Sequence, residues 1–354
     1  MQERCSLASA NQPLVNLLSR RELLSLDAPW RSSRRQQDSA SQWIRVARPA
    51  MACRFEVIVE AENDHAVESA QRCLDEVDRL ESILSIYRSA SEATLLNLGA
   101  ARHPVPVGPE MFELLELCAT LQQETKGAFD ITTGALSQCW GFQERKPSLP
   151  ALAVLRDALS QTGFHRVTLR RNQTVSFSSL RVQINFGGIG KGYALDRGAV
   201  KLRERGIKTA LLSAGHSSVL AVGAGPEGAG WLVGLRHPVQ RERRLGTVRL
   251  SSCAMGTSGQ EEQSFLENGR SYGHILDPKT GFPADRVLNV SVIADSVAHA
   301  DALATAFCVS GPELATDYCG RHQGVIAVIL MAENPSHPIV IGSNDRASVE
   351  VTHD

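Results

Sequence analysis

The stretch Ile184–Arg197, INFGGIGKGYALDR, sets Gly187, Gly188, Gly190 and Gly192 around Lys191. An apolar run precedes it and a helix-like run follows. At such a strand-to-helix turn the backbone N–H groups point at whatever lies in front of the helix, and Lys191 adds a full positive charge. A phosphate or pyrophosphate is the guest that this chemistry suits. The same glycines also serve a tight turn that binds nothing, and the local sequence leaves both readings open. Two familiar phosphate loops are excluded. A Walker A loop requires glycine where Asn185 stands and Ser or Thr where Gly192 stands. The dinucleotide pattern G-x-G-x-x-G ends on Tyr193 when started at Gly188 and on Leu195 when started at Gly190.

A second group lies in HADALATAF. Asp301 and Thr305 are four residues apart on a helix-patterned run, so they share one face. A carboxylate and a hydroxyl are hard oxygens. They suit Mg²⁺, which keeps several waters and leans on substrate phosphate. The competing reading is an aspartate favoured by the helix N-terminal dipole, with the threonine in the core. A third group is YGHILDPKTGFP, where Asp277-Pro278-Lys279-Thr280-Gly281 is turn chemistry and His274 precedes it. In AFDITTG, Asp130 followed by two threonines either ligates or satisfies a turn.

The elements that hold these residues follow from periodicity. Phe55–Ala61 alternates as a strand. The next run carries Val67, Ala70, Leu74, Val77, Leu80 and Leu84 at helical spacing, with Asp64 as its expected N-cap. A second helix opens near Pro109 and stops at Gly127, and a third covers PALAVLRDALSQTG. Short strands are expected in HRVTLRRNQTVSFSSLRVQINF, and a helix in GYALDRGAVKLRERG. TALLSAG, SVLAVGA, GWLVGLRHP, LNVSVIA and GVIAVILMA read as strands, and SVAHADALATAFCVSG as a helix. Strict β-α alternation is absent, so the fold class is α+β and not a doubly wound sheet.

The chain of 354 residues is 43% hydrophobic, enough for one large domain or two medium ones. A formal net charge of -1 gives no global pull toward nucleic acid or anionic membrane. No apolar run reaches the roughly 20 residues of a membrane span. The eight cysteines include no C-x-x-C pair and read as reduced core thiols. Residues 1–45 are rich in Ser, Gln and Arg and read as a disordered basic arm. SRRELLSL is followed by no apolar signal region, so the expected location is cytoplasmic. The expected boundaries are the arm at 1–45, one domain at 46–345, and a tail at 346–354.

In order along the chain, MACRF, LSIYRSASEATLLN, FDITTGAL, CWGF, FGGIGKGYALD, TSG, GHILDPKTGFP and ADALATAF resemble the ApbE family of FAD:protein FMN transferases. The resemblance covers about Ala47 to Met331. It implies an α+β fold with a T-fold-like core, FAD as substrate and Mg²⁺ as cofactor. It implies that a Ser or Thr hydroxyl of a target protein attacks the FMN-side phosphorus of FAD and releases AMP. The implied target is a membrane-associated redox protein, which makes a periplasmic or membrane-facing location the alternative.

The resemblance also assigns roles. Met51 touches the flavin, and Tyr87 stacks on a ring of FAD, although an aromatic at a helix end otherwise packs. Ala128, Phe129 and Asp130 line the nucleotide. Asn185 and Lys191 meet its polar groups, and Leu276 meets FAD through its backbone. Gly188 (by its carbonyl), Asp301 and Thr305 hold Mg²⁺. His274 is the candidate for proton transfer or nucleotide contact. The chain departs from the family pattern at several of these places. Asn185 replaces Asp, Gly190 replaces Ala, and Ser213-Ala214-Gly215-His216-Ser217 replaces Asn-Ala-Gly-Gly-Asp. Gln260 replaces Asp, and Ala304 stands where another oxygen ligand is common. Two other readings remain: an FAD pyrophosphatase, with water as acceptor, and a non-catalytic FAD-binding protein.

Overall fold

The computed structural model describes residues 14–18, 43–62, 64–240, 242–260 and 263–352. Among these, nine strands pair antiparallel into one sheet. In spatial order they are β1 (Leu14–Leu18), β2 (Trp43–Ala50), β3 (Cys53–Glu60), β7 (Ala210–Ala214), β8 (Ser218–Val222), β11 (Ala254–Gly259), β14 (Val287–Ala294), β15 (Ile326–Met331) and β16 (Asn334–Gly342). A second sheet has the order β17 (Ala347–Val351), β10 (Arg244–Leu250), β9 (Trp231–Arg236). A third is β4 (Val105–Pro106), β6 (Thr174–Phe177), β5 (Val167–Arg170), and β12 (Ser264–Glu267) pairs with β13 (Arg270–Gly273). The helices are α1 (Ala66–Leu84), α2 (Glu92–Gly99), α3 (Pro109–Glu124), α4 (Gly134–Cys139), α5 (Leu152–Ser160), α6 (Gly190–Glu204) and α7 (Val297–Arg321). The α+β class expected from the sequence is what forms.

Strand periodicity explains the layers. In β15 no position is polar, and all six residues are buried. Ala327, Ile329 and Met331 face the core shared with Leu74 of α1, Ala194 of α6 and Phe307 of α7. Ile326, Val328 and Leu330 face the opposite core, shared with Trp231, Val233 and Val248 of the second sheet. Strands β3 and β7 split their side chains in the same way, with Ile58 and Leu211 on the second side. The large sheet is therefore covered on both faces, and this is why its inner strands read as continuous apolar runs. Each large apolar side chain that closes this core, such as Phe55 at 0% exposure, contributes about 1.5–3 kcal/mol.

Several boundaries differ from expectation. Helix α1 starts at Ala66 with His65 at the N-cap and no side-chain cap bond, so Asp64 does not cap it. Leu14–Leu18, inside the expected disordered arm, pairs with β2 as an edge strand. Trp43 opens β2, is buried, and meets Trp231 edge-on at 5.1 Å, which brings the domain boundary before residue 46. The rest of the arm lies outside the described residues. The expected tail contains β17, whose five residues pair with β10. Helix α7 runs on to Arg321 beyond the expected stop at Gly311, where the backbone leaves helical geometry for one residue before Pro312 resumes it. Helix α2 and the β12–β13 hairpin are additions. Of the seven described cysteines, Cys73, Cys118, Cys253 and Cys308 are buried. Among the described residues no helix is long and apolar enough to cross a membrane.

Candidate functional site

The glycine–lysine turn is held from two sides. Asn97 of α2 accepts from the Ile184 amide at 2.8 Å and donates to the Ile184 carbonyl at 3.0 Å, acting as a short piece of strand. The Asn185 amide donates to Ile131 O at 2.7 Å, and Asn185 Oδ1 accepts from the Gly187 amide at 2.9 Å. The turn then closes on Phe186 O, which accepts from Ile189 and Gly190, and α6 begins.

Helix α7 lies against this turn because glycines let backbones touch. A Cβ on Gly192 would fall 2.5 Å from the carbonyl carbon and oxygen of Val297. One on Gly256 of β11 would fall 2.5 Å from Ala300 C and Asp301 N. One on Gly188 would fall 3.2 Å from Thr305 Oγ1 and 3.5 Å from the Phe129 ring. At Gly192 and Gly256 the backbones thus pack with no side chain between them, an approach only glycine permits, while Gly188 gives room to the Thr305 and Phe129 side chains. Asp196 of α6 adds a polar tie. Its two carboxylate oxygens each accept a backbone N–H of α7, from Val297 and from Ala298, at 2.9 Å.

Asp301 and Thr305 come out on the face that this packing presents to the turn. Asp301 is 6% exposed, and both its oxygens accept from Ser218 Oγ, at 2.9 and 3.0 Å. Burial pushes its carboxyl up to about 7; the Lys191 charge, the Ser218 hydroxyl and the Gly192 amide pull the other way, and the Asp196 charge adds to the rise. Thr305 Oγ1 donates to Asp301 O at 3.1 Å and lies 3.2 Å from Ser258 Oγ. Lys191 Nζ donates to Ser217 Oγ at 2.5 Å. One cluster therefore joins Gly188, Lys191, Ser217, Ser218, Ser258, Asp301 and Thr305.

The donor chemistry fits a hard divalent cation. All the candidate donors are oxygens, and one is a carboxylate held dry without a full countercharge in contact. Among the described residues no group of three His, Cys, Asp or Glu side chains could hold a metal. A cation here would have one carboxylate, a hydroxyl and a backbone carbonyl, and would depend on water and substrate phosphate for the rest, as Mg²⁺ does. Ala304, where another oxygen ligand was a possibility, is fully buried.

The remaining predicted residues flank this cluster. Phe129 is buried beside Gly188, next to the buried Ala128. The Asp130 carboxylate is committed to a turn. It accepts from the Thr132 amide and hydroxyl at 2.8 and 2.6 Å and from the Phe164 amide at 2.9 Å. Met51 sits at the tip of the β2–β3 hairpin with φ 47°, half-buried, its amide donating to Glu81 Oε1 at 2.9 Å. A shallow depression of about 480 Å³ opens there, lined by Pro49 to Arg54 and Glu81. Tyr87 is 71% exposed, so it is not a packing residue at a helix end. Its neighbour Arg88 reaches the same Glu81.

His274 and Leu276 belong to a different cluster. Leu276 is buried with Trp140, Phe142 and Leu155, and bridges to Pro283. His274 is half-buried, donates its amide to Gln263 O at 3.0 Å, and meets the Phe142 ring edge-on. Asp277 closes the loop that follows, taking the Lys279 amide and the Thr280 hydroxyl. Trp140 Nε1 donates to Gly281 O at 2.8 Å and fixes that loop to α4. Gly127 approaches the Lys279 side chain, which brings the Ala128–Asp130 segment and the loop together.

Sequence reasoning missed Ser218, Ser258, Asp196 and Asn97. The signals were present, since SAGHSS, TSG and GYALD all lay in view, but hydroxyls and a helix carboxylate have no spacing that marks them.

Three kinds of comparison point to one family. The model of the ApbE family matches residues 51–330. A FAD:protein FMN transferase of Treponema pallidum is 31% identical over 269 residues, covering 72% of this chain and 74% of that protein. One of Escherichia coli K12 is 27% identical over 278 residues, covering 77% and 79%. The crystal structure of the ApbE protein from Thermotoga maritima superposes with a TM-score of 0.77 at 28% identity, over 85% of this chain and 97% of that one. The apo form of the flavinyl transferase ApbE of Pseudomonas stutzeri gives 0.75 at 26%, over 86% and 96%.

Proposed function

The chain belongs to the ApbE family, and from that premise we propose that it is an Mg²⁺-dependent FAD:protein FMN transferase. The observation that carries the reading is the buried Asp301 carboxylate, paired in one cluster with Thr305 and set against the Gly188–Lys191 turn. A dry carboxylate beside a phosphate-type turn has a use when a cation and an anionic phosphate arrive together. The names carried by the relatives support FAD as the donor and a protein as the acceptor.

The proposed reaction is a displacement at phosphorus. The acceptor Ser or Thr oxygen bonds to the FMN-side phosphorus of FAD. The bond from that phosphorus to the bridging oxygen breaks, and AMP leaves with that oxygen. The acceptor proton passes to His274. In such transfers catalysis is mostly positioning and charge stabilisation. Lys191 and the turn amides bind the pyrophosphate oxygens. Asp301, Thr305 and the Gly188 carbonyl would hold Mg²⁺, which when bound would polarise the pyrophosphate and offset charge on the departing AMP. Met51 and the exposed Tyr87 ring would contact the flavin and its partner rings.

The test is incubation with FAD, Mg²⁺ and a candidate acceptor protein, read by in-gel flavin fluorescence and by AMP chromatography. Covalent flavin with equal AMP is the expected result. AMP with free FMN and no labelled protein would make the chain a hydrolase. FAD binding with neither product, across acceptors and metals, would leave a flavin-binding protein.

A further inference from the structure

We infer that Asp196, a residue outside the binding cluster, is the positioning residue that sets the Asp301–Thr305 face against the Gly188–Lys191 turn. This rests on the reading above that the cluster takes a divalent cation with FAD.

The N-terminus of α7 is capped twice. Its own N-cap, Ser296, accepts from the His299 amide at 3.3 Å, as an ordinary local cap does. Asp196 satisfies two further amides, Val297 and Ala298, from a different helix. A local cap would have sufficed for helix stability. The second one crosses between elements, and its position on α6 is five residues beyond Lys191. The contact is also close, because Gly192 lies one turn earlier on α6 and touches the Val297 backbone directly. Asp196 and Gly192 together fix both the distance and the rotation of α7 on α6.

That relationship decides the cluster geometry. Asp301 and Thr305 lie one and two turns along α7 from the tied amides. Gly188 and Lys191 lie at the start of α6. With the tie cut, the Val297 and Ala298 amides lose their hold on α6 and only the Gly192 amide still reaches the Asp301 carboxylate, so the oxygen donors on α7 move relative to those on the turn. Residues that orient metal ligands in this way typically change metal affinity ten- to hundredfold when replaced.

Three variants separate positioning from stability. Asp196→Ala removes both tertiary bonds, Asp196→Asn keeps one acceptor, and Ser296→Ala removes only the local cap. For each, Mn²⁺ binding to the FAD complex is measured by electron paramagnetic resonance, FAD binding without metal by flavin fluorescence, and Tm by calorimetry. Asp196→Ala should weaken Mn²⁺ by about ten- to hundredfold, with Asp196→Asn intermediate. Ser296→Ala should lower Tm and leave Mn²⁺ affinity within about twofold. If Asp196→Ala does not fold, the Asn variant alone must show the loss. Equal loss of Mn²⁺ affinity in Ser296→Ala, or unchanged affinity in both Asp196 variants, would overturn the inference while leaving the transferase reading intact. Wild-type protein that binds neither FAD nor Mn²⁺ would overturn that reading, and the inference with it.

Discussion

The ammonium of Lys191 donates to the hydroxyl of Ser217 at 2.5 Å, so the cation of the glycine turn is held by a neutral oxygen. A hydroxyl positions the charge without cancelling it. Lys191 is therefore available to a phosphate, and Ser217 keeps its side chain from wandering into solvent.

Replacing Lys191 with Ala should weaken FAD by one to two orders of magnitude. A charge-assisted contact of this kind is worth about 1.5–3 kcal/mol. Fluorescence titration of FAD measures it directly. Unchanged affinity would mean that the turn is structural only.

The buried aspartates give a pH dependence with a definite sign. Burial raises the carboxyl of Asp301 to about 7 and that of Asp196 to about 6. Unfolded aspartate titrates near 4. Over the interval between, the unfolded chain is ionised while the folded groups still hold protons. The stability they confer is complete below about pH 4 and is lost as pH rises toward about 7. In metal-free protein with a chelator, each group should cost up to about 1.4 kcal/mol per pH unit within its own interval. Asp301→Asn removes one of them, so its stability relative to wild type should improve from pH 5 to pH 7. Urea midpoints at those two values decide the matter, and an improvement with falling pH would contradict it.

Asp301→Ala should abolish Mg²⁺-dependent AMP release while costing little stability at pH 8. The Ser218 hydroxyl loses its partner, a penalty of about 1–3 kcal/mol, but a buried charge is also removed. Melting with and without Mg²⁺ and FAD checks both halves. A large fall in Tm with the metal response intact would favour a helix-stabilising aspartate instead.

Two glycines two residues apart, Gly190 and Gly192, should behave oppositely. A Cβ on Gly190 meets only Phe186 Cβ, at 3.5 Å, an ordinary contact. Gly190→Ala should therefore be neutral or stabilising by about 0.4–1 kcal/mol, through a less flexible unfolded chain. A Cβ on Gly192 meets the Val297 backbone at 2.5 Å. Gly192→Ala should destabilise by about 1–3 kcal/mol, because backbone atoms cannot swing aside. Thermal melts of the pair check the contrast, and equal Tm values would refute the packing described for α6 and α7.

The sequence by itself determined the α+β class and most helices and inner strands, and it offered the glycine turn, Asp301 and Thr305 as candidates. These are local matters. Apolar period, glycine content and the four-residue spacing of a carboxylate and a hydroxyl are all carried by neighbouring residues. The tertiary structure decided the rest. It showed that the Asp130 carboxylate holds a turn, where its sequence neighbour Thr132 is joined by the amide of Phe164, 34 residues away, a partner that no local pattern reveals. It showed Tyr87 exposed where a helix-end aromatic would ordinarily pack. It recruited Leu14–Leu18 and Ala347–Val351 as strands, since an edge takes its hydrogen bonds from a distant partner that no local pattern reveals. It also assembled Ser218, Ser258 and Asp196 around α7 from three separate elements. A hydroxyl or a carboxylate on an unrelated strand or helix gains its role from what it faces, and what it faces is fixed only when β8, β11, α6 and α7 pack together.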